Sequence, residues 1–443
     1  MFENVKFPSG ALNIIETLTD KGFLGYLVGG CVRDLLLSKN PKEWDITTDA
    51  TPTDVIKLFK KVIPTGIEFG TVTVLIDDQS YEVTTFRRDE RYADGRHPAS
   101  VTFSKSLEED LSRRDFTINA MAYEPKNKEF VDRFSGTKDL MAKLIRTVGE
   151  PALRFGEDGL RSLRACRFAA VLEFEIEENT FNAISGTLSV TKKVAVERVH
   201  DEIIKMLSAK KPSIGFELMR ESGLLKLFIP ELENCIGIEQ PPEYHKYDVY
   251  WHSLYSCDAA PQDNIICRLA ALLHDISKPA CKVDYTFYNH DQVGAETAQN
   301  ILKRLKFSND DIKAVSNLIG NHMFDYKSEW SDAAVRRFIR RVGLENIDNL
   351  FLLRKADSRA MEREIDDAYL NELRSRIDKI IAEENALHVK DLLVDGKDVM
   401  HELDLPPGPK IGEVLSALLE KVLDDPALNT RSKLLEMIRD YGK

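Results

Sequence analysis

The feature that most constrains the fold of this chain is a change of hydrophobic period near residue 150. Before that point, short apolar or alternating segments such as TVTVLID and YEVTTF predict β-strands. After it, apolar residues recur at helical spacing, as in LRSLRACRFAAVL and ERVHDEIIKML. We therefore expect an α+β protein in which a mixed α/β head is followed by a remainder that is mostly helical.

The 443 residues are enough for several hydrophobic cores. Strand signals fade near residue 150, a loop-like segment follows the first helical block, and PPGP marks a stop before the last helices. We expect four parts: a catalytic head (1–150), a helical neck (151–212), a helical body (213–385) and a helical tail (386–443).

Composition narrows the class of protein. No apolar run is long enough to span a membrane, and the first residues lack the basic and apolar regions of a signal peptide, so we expect a cytoplasmic protein without a membrane partner. The six cysteines form no C-x-x-C pair and lie mostly in apolar segments, which favours reduced, buried thiols.

The net charge of −12 means that a nucleic acid would have to be held by local basic patches. One candidate patch runs from Arg336 to Arg363, begins with RRFIRR, and holds eight Lys and Arg residues against four Asp and Glu residues.

A glycine turn carries the first chemical signal. The predicted strand YLV ends in Gly29 and Gly30, where the backbone can approach a ligand closely, and a predicted helix start follows. Arg33 could add a guanidinium group for a phosphate. By itself this signal is weak, because two glycines before a helix are as often simple turn chemistry.

An acid pair follows thirteen residues after Gly30. On a strand, Glu43 and Asp45 would present both carboxylates on one face. Hard oxygen ligands so placed suit Mg²⁺ ions that bridge nucleotide phosphates and activate a hydroxyl. Glu82 in YEVTTF is a further candidate acid, and the alternative for the pair is a solvated strand edge.

Six blocks of residues 20–210 together resemble one family. They are GGCVRDLLL with EWDITTDATP, EVTTFRRDERYADGRHP, RRDFTINAMAY, DRFSGTKDL, RFGEDGLRSLRACRFAA and ERVHDEI. In this order they resemble the class II tRNA nucleotidyltransferases, which include CCA-adding enzymes, A-adding and CC-adding relatives, and bacterial poly(A) polymerases. The resemblance implies a polymerase-β-like head. One departure is Glu43, where the family usually has aspartate, so the spacing of the metals could be adjusted.

The block RRDFTINAMAY brings Arg114, Asp115 and Asn119 close together in sequence. A guanidinium, a carboxylate and an amide are suited to hold a triphosphate and a ribose hydroxyl, and the resemblance implies that role. Without the resemblance, the block would read as a capped helix start.

The segment RFGEDGLRSLRACRF, read as a helix, places four charged residues on one stripe: Asp158, Arg161, Arg164 and Arg167. A solvated face with salt bridges is one interpretation. The other is base recognition, because cytosine and adenine both present an amino donor beside a ring-nitrogen acceptor, which match Asp158 and Arg161. In the family, E-D-x-x-R is the base-reading element, and Arg164 and Arg167 resemble arginines that line the nucleotide pocket.

The segment FRRDERYADGRHPASV is either a surface loop or a functional element. CC-only relatives lack most of it, so its presence favours an enzyme that can add the terminal A. The resemblance leaves open whether the same protein also adds the two C residues.

Histidines cluster later in the chain. A mixed nitrogen and oxygen ligand set for a divalent metal is formed by His252, His274, Asp275 and Asp357. This set resembles the HD superfamily of metal-dependent phosphohydrolases, in which the positions of His290 and His322 often contact substrate or a second metal. Mn²⁺, Fe, Co or Ni would suit the site, and the alternative is a helical body that only docks RNA.

We predict template-independent addition or repair of the 3′-terminal CCA of tRNA from CTP and ATP, with Mg²⁺ at the head and the acceptor arm of tRNA as partner. The alternatives are an A-adding enzyme or poly(A) polymerase, an HD phosphohydrolase with an inert head, and a non-catalytic RNA-binding protein. The sequence does not predict the oligomeric state.

Overall fold

The computed structural model of the chain describes residues 2, 5–89, 101–243, 245–361, 367–383 and 386–441. It forms two compact units, Met1–Glu233 and Asn234–Lys443. The first unit contains a sheet with helices and then a helical segment, and the second is built almost wholly of helices. The predicted α+β class and the change to helix near residue 150 are confirmed. The finer division into head, neck, body and tail stays a prediction.

The strands are short. Their bounds are β1 Gly25–Val28, β2 Ile46–Thr48, β3 Val62–Gly66, β4 Thr71–Ile76, β5 Gln79–Thr85, β6 Arg87–Asp89, β7 Val101–Phe103, β8 Met121–Glu124, β9 Glu129–Asp132, β10 Leu144–Ile145, β11 Glu175–Ile176, β12 Lys282–Val283 and β13 Thr286–Phe287.

Helices of the first unit flank its sheet and then continue the chain. Their bounds are α1 Ser9–Asp20, α2 Gly30–Leu36, α3 Pro52–Leu58, α4 Leu107–Ser112, α5 Gly136–Met141, α6 Pro151–Glu157, α7 Leu160–Leu172, α8 Glu178–Gly186, α9 Leu188–Thr191, α10 Val196–Leu207, α11 Pro212–Glu221, α12 Leu224–Phe228 and α13 Pro230–Glu233.

Helices of the second unit carry nearly all of its regular structure. Their bounds are α14 Val249–Ala259, α15 Ile265–Leu273, α16 Lys278–Cys281, α17 His290–Arg304, α18 Asn309–Asn321, α19 Asp332–Val342, α20 Leu344–Ala360, α21 Ala368–Ala382, α22 Gly396–Leu403, α23 Pro409–Asp424 and α24 Arg431–Tyr441. Among the described residues, none of these helices combines the length and hydropathy needed to cross a bilayer.

The main sheet has the strand order β3-β4-β5-β2-β1-β8-β9. Strand β2 lies at its centre, antiparallel to β1 and parallel to β5. The apolar side chains of β1 and β8 pack with Phe86 and Leu111 in one buried cluster, which fixes the sheet against helix α4. Because β1 and β2 are antiparallel, the end of β1 and the start of β2 lie side by side at one end of the strands. The glycine turn and the acid pair lie at this end.

The predicted helix over residues 154–168 is interrupted, which corrects the predicted stripe. Helix α6 ends at Glu157, Asp158 has an extended backbone (φ −140°, ψ 107°), and α7 begins at Leu160. The break lies where Gly159 packs against helix α9: the Thr191 hydroxyl donates to the Gly159 carbonyl at 3.2 Å. Asp158 therefore does not share a helical face with the three arginines of α7.

The basic patch that begins with RRFIRR is largely paired within the second unit. Arg336 is buried and donates to the backbone carbonyls of Leu423 and Asp424. Arg337 and Arg340 both form ion pairs with Glu420 of α23. These arginines hold helix α19 against α23, so this part of the patch is less available to an RNA backbone than its sequence suggests.

The helix break generates a stability prediction. A Cβ at Gly159 would lie 2.5 Å from Thr191 Cα, whereas nothing lies within 4 Å of a Cβ at Gly156, inside α6. We expect Gly159→Ala to lower the free energy of unfolding by about 1–3 kcal/mol, the usual cost of overpacking. Gly156→Ala is the matched control and should be neutral or stabilising by up to about 1 kcal/mol, because alanine favours the helix. Urea unfolding of the two variants measures the difference, and equal stabilities would contradict the proposed packing.

Candidate nucleotide and metal sites

The glycine turn has a backbone conformation that requires glycine. Gly29 has φ 77° and ψ −129°, in a region that L side chains rarely adopt, and α2 begins at Gly30. A Cβ at Gly29 would lie 2.9 Å from Arg114 Nη1 and 3.9 Å from Asp45 Oδ2. The turn thus brings the backbone beside the guanidinium group of Arg114 and the carboxylate of Asp45.

The acid pair lies just before strand β2 and not within it, which corrects the sequence interpretation. Strand β2 begins at Ile46, but the Asp45 carbonyl still accepts from the Val28 N–H at 3.0 Å, so the pairing with β1 extends to Asp45. On the other side, Ile46 is paired with Val83 in parallel register, which places Glu82 of β5 next to Asp45. Asp45 therefore lies at the glycine turn, and Glu82 and Glu43 are close enough to act electrostatically on it.

The electrostatics of Asp45 favour a bound cation. Burial raises the pKa of Asp45 to about 6, the carboxylates of Glu82 and Glu43 add to that rise, and the guanidinium groups of Arg114 and Arg164 oppose it. A divalent cation would offset the repulsion among these oxygens, and carboxylates are the ligands that Mg²⁺ prefers. The donor set fits Mg²⁺, with Glu43 and Asp45 as the first candidates and Glu82 as a third.

The residues of RRDFTINAMAY form a hydrogen-bonded network with Arg33 and the neck. Arg33 Nη1 donates to Asn119 Oδ1 at 2.7 Å, and Asn119 Nδ2 donates to Asp115 Oδ1 at 3.1 Å. Arg164 of helix α7 then donates to Asp115 Oδ2 through Nε at 2.8 Å. Burial alone would raise the pKa of Asp115, but Arg164 and Asn119 outweigh it and hold that pKa well below its usual range.

The three arginines of α7 each have a local partner. Arg161 Nη1 lies 2.5 Å from Glu157, and its Nη2 donates to the Arg113 carbonyl at 3.0 Å. Arg167 Nε lies 2.5 Å from the buried carboxylate of Glu202 on α10. The arginine stripe of the prediction is therefore part of a buried network rather than a solvated face.

Asp158 pairs with a residue to which the sequence analysis gave no role. Arg198 of α10 donates to both carboxylate oxygens of Asp158, at 2.8 and 3.2 Å. The side chains of Asp158 and Arg161 thus have different partners in this structure. Arg198 and Glu202 both lie in the block ERVHDEI, where their spacing of four on one helical face was the available signal.

A single aromatic ring lies beside three guanidinium groups. The Cζ atoms of Arg33, Arg164 and Arg167 lie 5.2, 5.4 and 3.7 Å from the ring centroid of Phe168. Cation–π contacts of this kind add to the ion pairs of the same arginines. The predicted A-addition loop cannot be placed in this arrangement, because its residues 90–100 lie outside the described residues.

The histidine cluster of the second unit is a compact site. His252 Nε2 lies 3.0 Å from Asp357 Oδ1 and 3.2 Å from His274 Nε2, and His274 Nε2 lies 3.2 Å from Asp275 Oδ2. These four side chains come from helices α14 and α20 and from the end of α15, so the tertiary structure brings the predicted ligand set together.

Two further histidines approach the other oxygen of Asp275. His290 Nε2 and His322 Nε2 lie 3.4 and 3.8 Å from Asp275 Oδ1 and 3.3 Å from each other. Their Nδ1 atoms donate to the carbonyls of Phe287 and Ile319, both at 2.7 Å, which turns each Nε2 towards the acid. Burial lowers the pKa of His322 to about 4, so its imidazole is neutral at pH 7, as a metal ligand requires.

Asp275 is the shared group of both sets. Its side chain is buried, its Oδ2 accepts from Lys278 Nζ at 2.7 Å, and its Oδ1 has no hydrogen-bond partner among the described residues. A buried carboxylate oxygen without a partner is costly unless a cation completes it. The cluster borders a cavity of about 540 Å³ that Lys278 and Arg354 also line.

Family models match three segments of the chain. Residues 25–146 match the poly A polymerase head domain, residues 173–236 match a probable RNA and SrmB-binding site of polymerase A, and residues 287–438 match a putative tRNA nucleotidyltransferase domain 2. The first segment contains the glycine turn and the acids, and the third contains His290, His322 and Asp357.

Similar proteins match nearly the whole chain. The CCA-adding enzyme of Ligilactobacillus salivarius is 33% identical over 96% of this chain and 95% of its own length, and that of Pediococcus pentosaceus is 34% identical over 97% of each. The crystal structure of the Bacillus stearothermophilus CCA-adding enzyme in complex with CTP superimposes with a TM-score of 0.76 at 29% identity, covering 97% of this chain and 96% of that one.

The raised pKa of Asp45 generates a prediction for the metal-free protein. The folded state binds this proton more tightly than the unfolded state does, so the favourable contribution of Asp45 is complete below pH 3.8 and is lost as the pH rises through about 6. We expect Asp45→Asn to be more stable than wild type by on the order of 2 kcal/mol at pH 8 in EDTA, and the gain to vanish near pH 4. Thermal unfolding at both pH values measures it. Lower stability of the variant at pH 8 would contradict this electrostatic account.

Proposed function

This chain belongs to the CCA-adding enzymes, a family of class II tRNA nucleotidyltransferases, and we propose that the acids and arginines of its first unit carry the reaction. The reaction adds or repairs the 3′-terminal CCA of tRNA from CTP and ATP without a nucleic-acid template. The single observation that carries the assignment of residues is that Asp45, whose charge is acted on by Glu43 and Glu82, lies beside Arg114 at the glycine turn.

The acids form the metal site of this proposal. Glu43 and Asp45 would hold Mg²⁺, and Glu82 is close enough to Asp45 to add a ligand or to orient one. When bound, Mg²⁺ supplies charge stabilisation at the α-phosphate and favours the deprotonated form of the attacking 3′ hydroxyl. The longer side chain of Glu43, in place of the family aspartate, extends its carboxylate further from the backbone.

The arginines hold the phosphates. Arg114 lies against the Gly29 turn, within reach of a triphosphate bound there. Arg33 lies beside the same turn and donates a hydrogen bond to Asn119. As the 3′ hydroxyl oxygen bonds to the α-phosphorus, the bond to the pyrophosphate breaks and its charge grows, which these guanidinium groups stabilise. Asp115 and Asn119 keep Arg33 and Arg164 in place and offer polar groups to the ribose.

Base selection is assigned to Asp158 and Arg161. The carboxylate would accept from the amino group of cytosine or adenine, and the guanidinium would donate to the ring nitrogen. Uracil and guanine reverse that order and leave groups unpaired, at about 1–3 kcal/mol each. In this structure Asp158 is paired with Arg198, and Arg161 is paired with Glu157. We infer that the incoming base shares these contacts or replaces them.

The first prediction for this function concerns the order of additions. On a tRNA that lacks CCA, we expect CTP alone to add two C residues, ATP alone to add nothing, and both to add CCA, measured as changes in RNA length. Addition of A without C would identify an A-adding enzyme or a poly(A) polymerase.

Asp45→Asn should abolish every addition, whereas Asp158→Ala should raise incorporation of U relative to C by about tenfold, the factor that corresponds to one lost hydrogen bond.

We further propose that the histidine cluster binds a divalent transition metal through His252, His274, Asp275 and Asp357. The unpartnered Oδ1 of Asp275 and the inward Nε2 atoms support it, and mixed imidazole and carboxylate ligands suit Mn²⁺, Fe, Co or Ni. His290 and His322 extend the ligand set towards the cavity. The resemblance to HD enzymes makes phosphohydrolysis the candidate activity, with Lys278 and Arg354 placed to hold a phosphate.

Metal binding tests the second proposal without relying on activity. Titration of the EDTA-treated, dialysed Asp45→Asn protein, in which the acid site of the first unit is disabled, with Mn²⁺ in a calorimeter should give saturable binding, and adding His274→Ala with Asp275→Ala should remove it. His401→Ala is the control, because that imidazole is 86% exposed and far from the cluster in sequence. Binding that survives the double substitution would reject the site. Loss of hydrolysis of a chromogenic phosphomonoester in the His274→Ala and Asp275→Ala double variant with Asp45 intact, with tRNA extension retained, would separate the two activities.

A further inference from the structure

We propose that Asp110 is a positioning residue for nucleotidyl transfer, one that sets Arg114 and the strand of Asp45 in register with each other. This inference rests on the proposed function of Glu43, Asp45 and Arg114. Asp110 lies on helix α4, and it belongs neither to the acid set nor to the nucleotide-binding set.

The carboxylate of Asp110 is fully buried, and both of its oxygens accept hydrogen bonds. Its Oδ1 accepts from Arg113 through Nε at 2.9 Å and through Nη2 at 2.7 Å. Its Oδ2 accepts from the Thr47 hydroxyl at 3.1 Å and from Arg114 Nη2 at 3.4 Å. Burial would raise the pKa of Asp110, but Arg113 and Arg114 outweigh it and hold the pKa below its usual value, so the group is a carboxylate at pH 7.

One side of this contact set leads to the metal acids. Thr47 is the second residue of β2 and lies two positions after Asp45, so both side chains point to the same face of the sheet. Thr47 is paired in register with Thr84 of β5, two positions after Glu82. Asp110 therefore holds strand β2, which directly follows Asp45 and is paired with the strand of Glu82.

Another side leads to the phosphate-binding arginine. Arg114 reaches from the Asp110 carboxylate to the Gly29 turn, where its Nη1 is 2.9 Å from the position of a Cβ on that glycine. A flexible arginine held at one nitrogen keeps its other nitrogens aimed at the ligand. The same acid thus restrains both the strand of Asp45 and the guanidinium group that faces it.

The remaining contact leads to base selection. Arg113, clamped by two hydrogen bonds to Asp110, offers its backbone carbonyl to Arg161 Nη2 at 3.0 Å. Displacement of Arg113 would move the anchor of the base-reading arginine. Asp110 is the point at which the metal, phosphate and base parts of the site are joined.

The test compares two buried acids in the same unit. Asp110→Asn keeps the shape but removes the charge and turns an amide donor towards groups that are themselves donors. Glu124→Gln is the control, because Glu124 is also buried and accepts from the backbone N–H groups of Lys126 at 2.8 Å and Asn127 at 2.6 Å, at the end of β8 away from the glycine turn. Both variants should lose stability, and circular dichroism with thermal unfolding identifies a temperature at which both are folded.

At that temperature, we expect Asp110→Asn to lower kcat for C addition by 10- to 100-fold and to raise the Mg²⁺ concentration for half-maximal rate several-fold, because small displacements of positioned groups cost this much. Glu124→Gln should leave both within about twofold. In an Arg114→Ala background, Asp110→Asn should cost much less than it does in wild type, because the two residues act through one contact.

Equal kinetic effects of Asp110→Asn and Glu124→Gln, or additive effects of Asp110→Asn and Arg114→Ala, would reduce Asp110 to a structural residue and overturn the inference. The proposed function fails by a different result, namely tRNA extension that survives in Asp45→Asn. An inactive Asp45→Asn together with a kinetically normal Asp110→Asn would overturn this inference alone.

Discussion

Compensation of buried charge is the constraint on which this structure depends. Charged groups that are buried need partners of opposite charge. The first unit supplies them as acid–arginine pairs: Asp110 with Arg113, Asp115 with Arg164, and Glu202 with Arg167. Asp45 differs from these acids, because burial and the carboxylates of Glu82 and Glu43 together outweigh Arg114 and raise its pKa. The site for an added cation is thus the place where the protein's own compensation is incomplete.

The second unit meets the same constraint with different groups. Its central acid, Asp275, is surrounded by imidazoles, and its Oδ2 is paired with Lys278 and approached by His274. Hard carboxylate oxygens at the first site favour Mg²⁺, whereas a mixture of nitrogen and oxygen atoms at the second favours transition metals. One chain therefore presents two ligand sets of different chemical preference.

The residues proposed for base selection are restrained by partners on helices α6 and α10. Arg161 and Asp158 are held by Glu157 and Arg198, so their side chains have defined positions before a nucleotide arrives. Such restraint lowers the entropy that binding would otherwise cost, provided that the exchange of partners is nearly balanced. The break between α6 and α7 matters here because it turns Asp158 off the helix and towards α10.

The sequence alone determined the type of secondary structure along the chain and which side chains are available for chemistry. The change of period near residue 150 and the glycine turn are local patterns, and each corresponds to what the structure contains. The histidines and aspartates of the second unit lie far apart in the sequence, and the fold brings them together. The pattern did not reveal that the helix breaks at Asp158, since that break depends on the packing of Gly159 against Thr191, 32 residues away. Nor did it reveal the partners of the charged groups, such as Asp158 with Arg198 or Asp110 with Thr47, which lie 40 and 63 residues apart. Periodicity and turn chemistry act over a few residues and can be read directly, but the pairing of charges is decided by which surfaces the folded chain brings together, and only the tertiary structure specifies that.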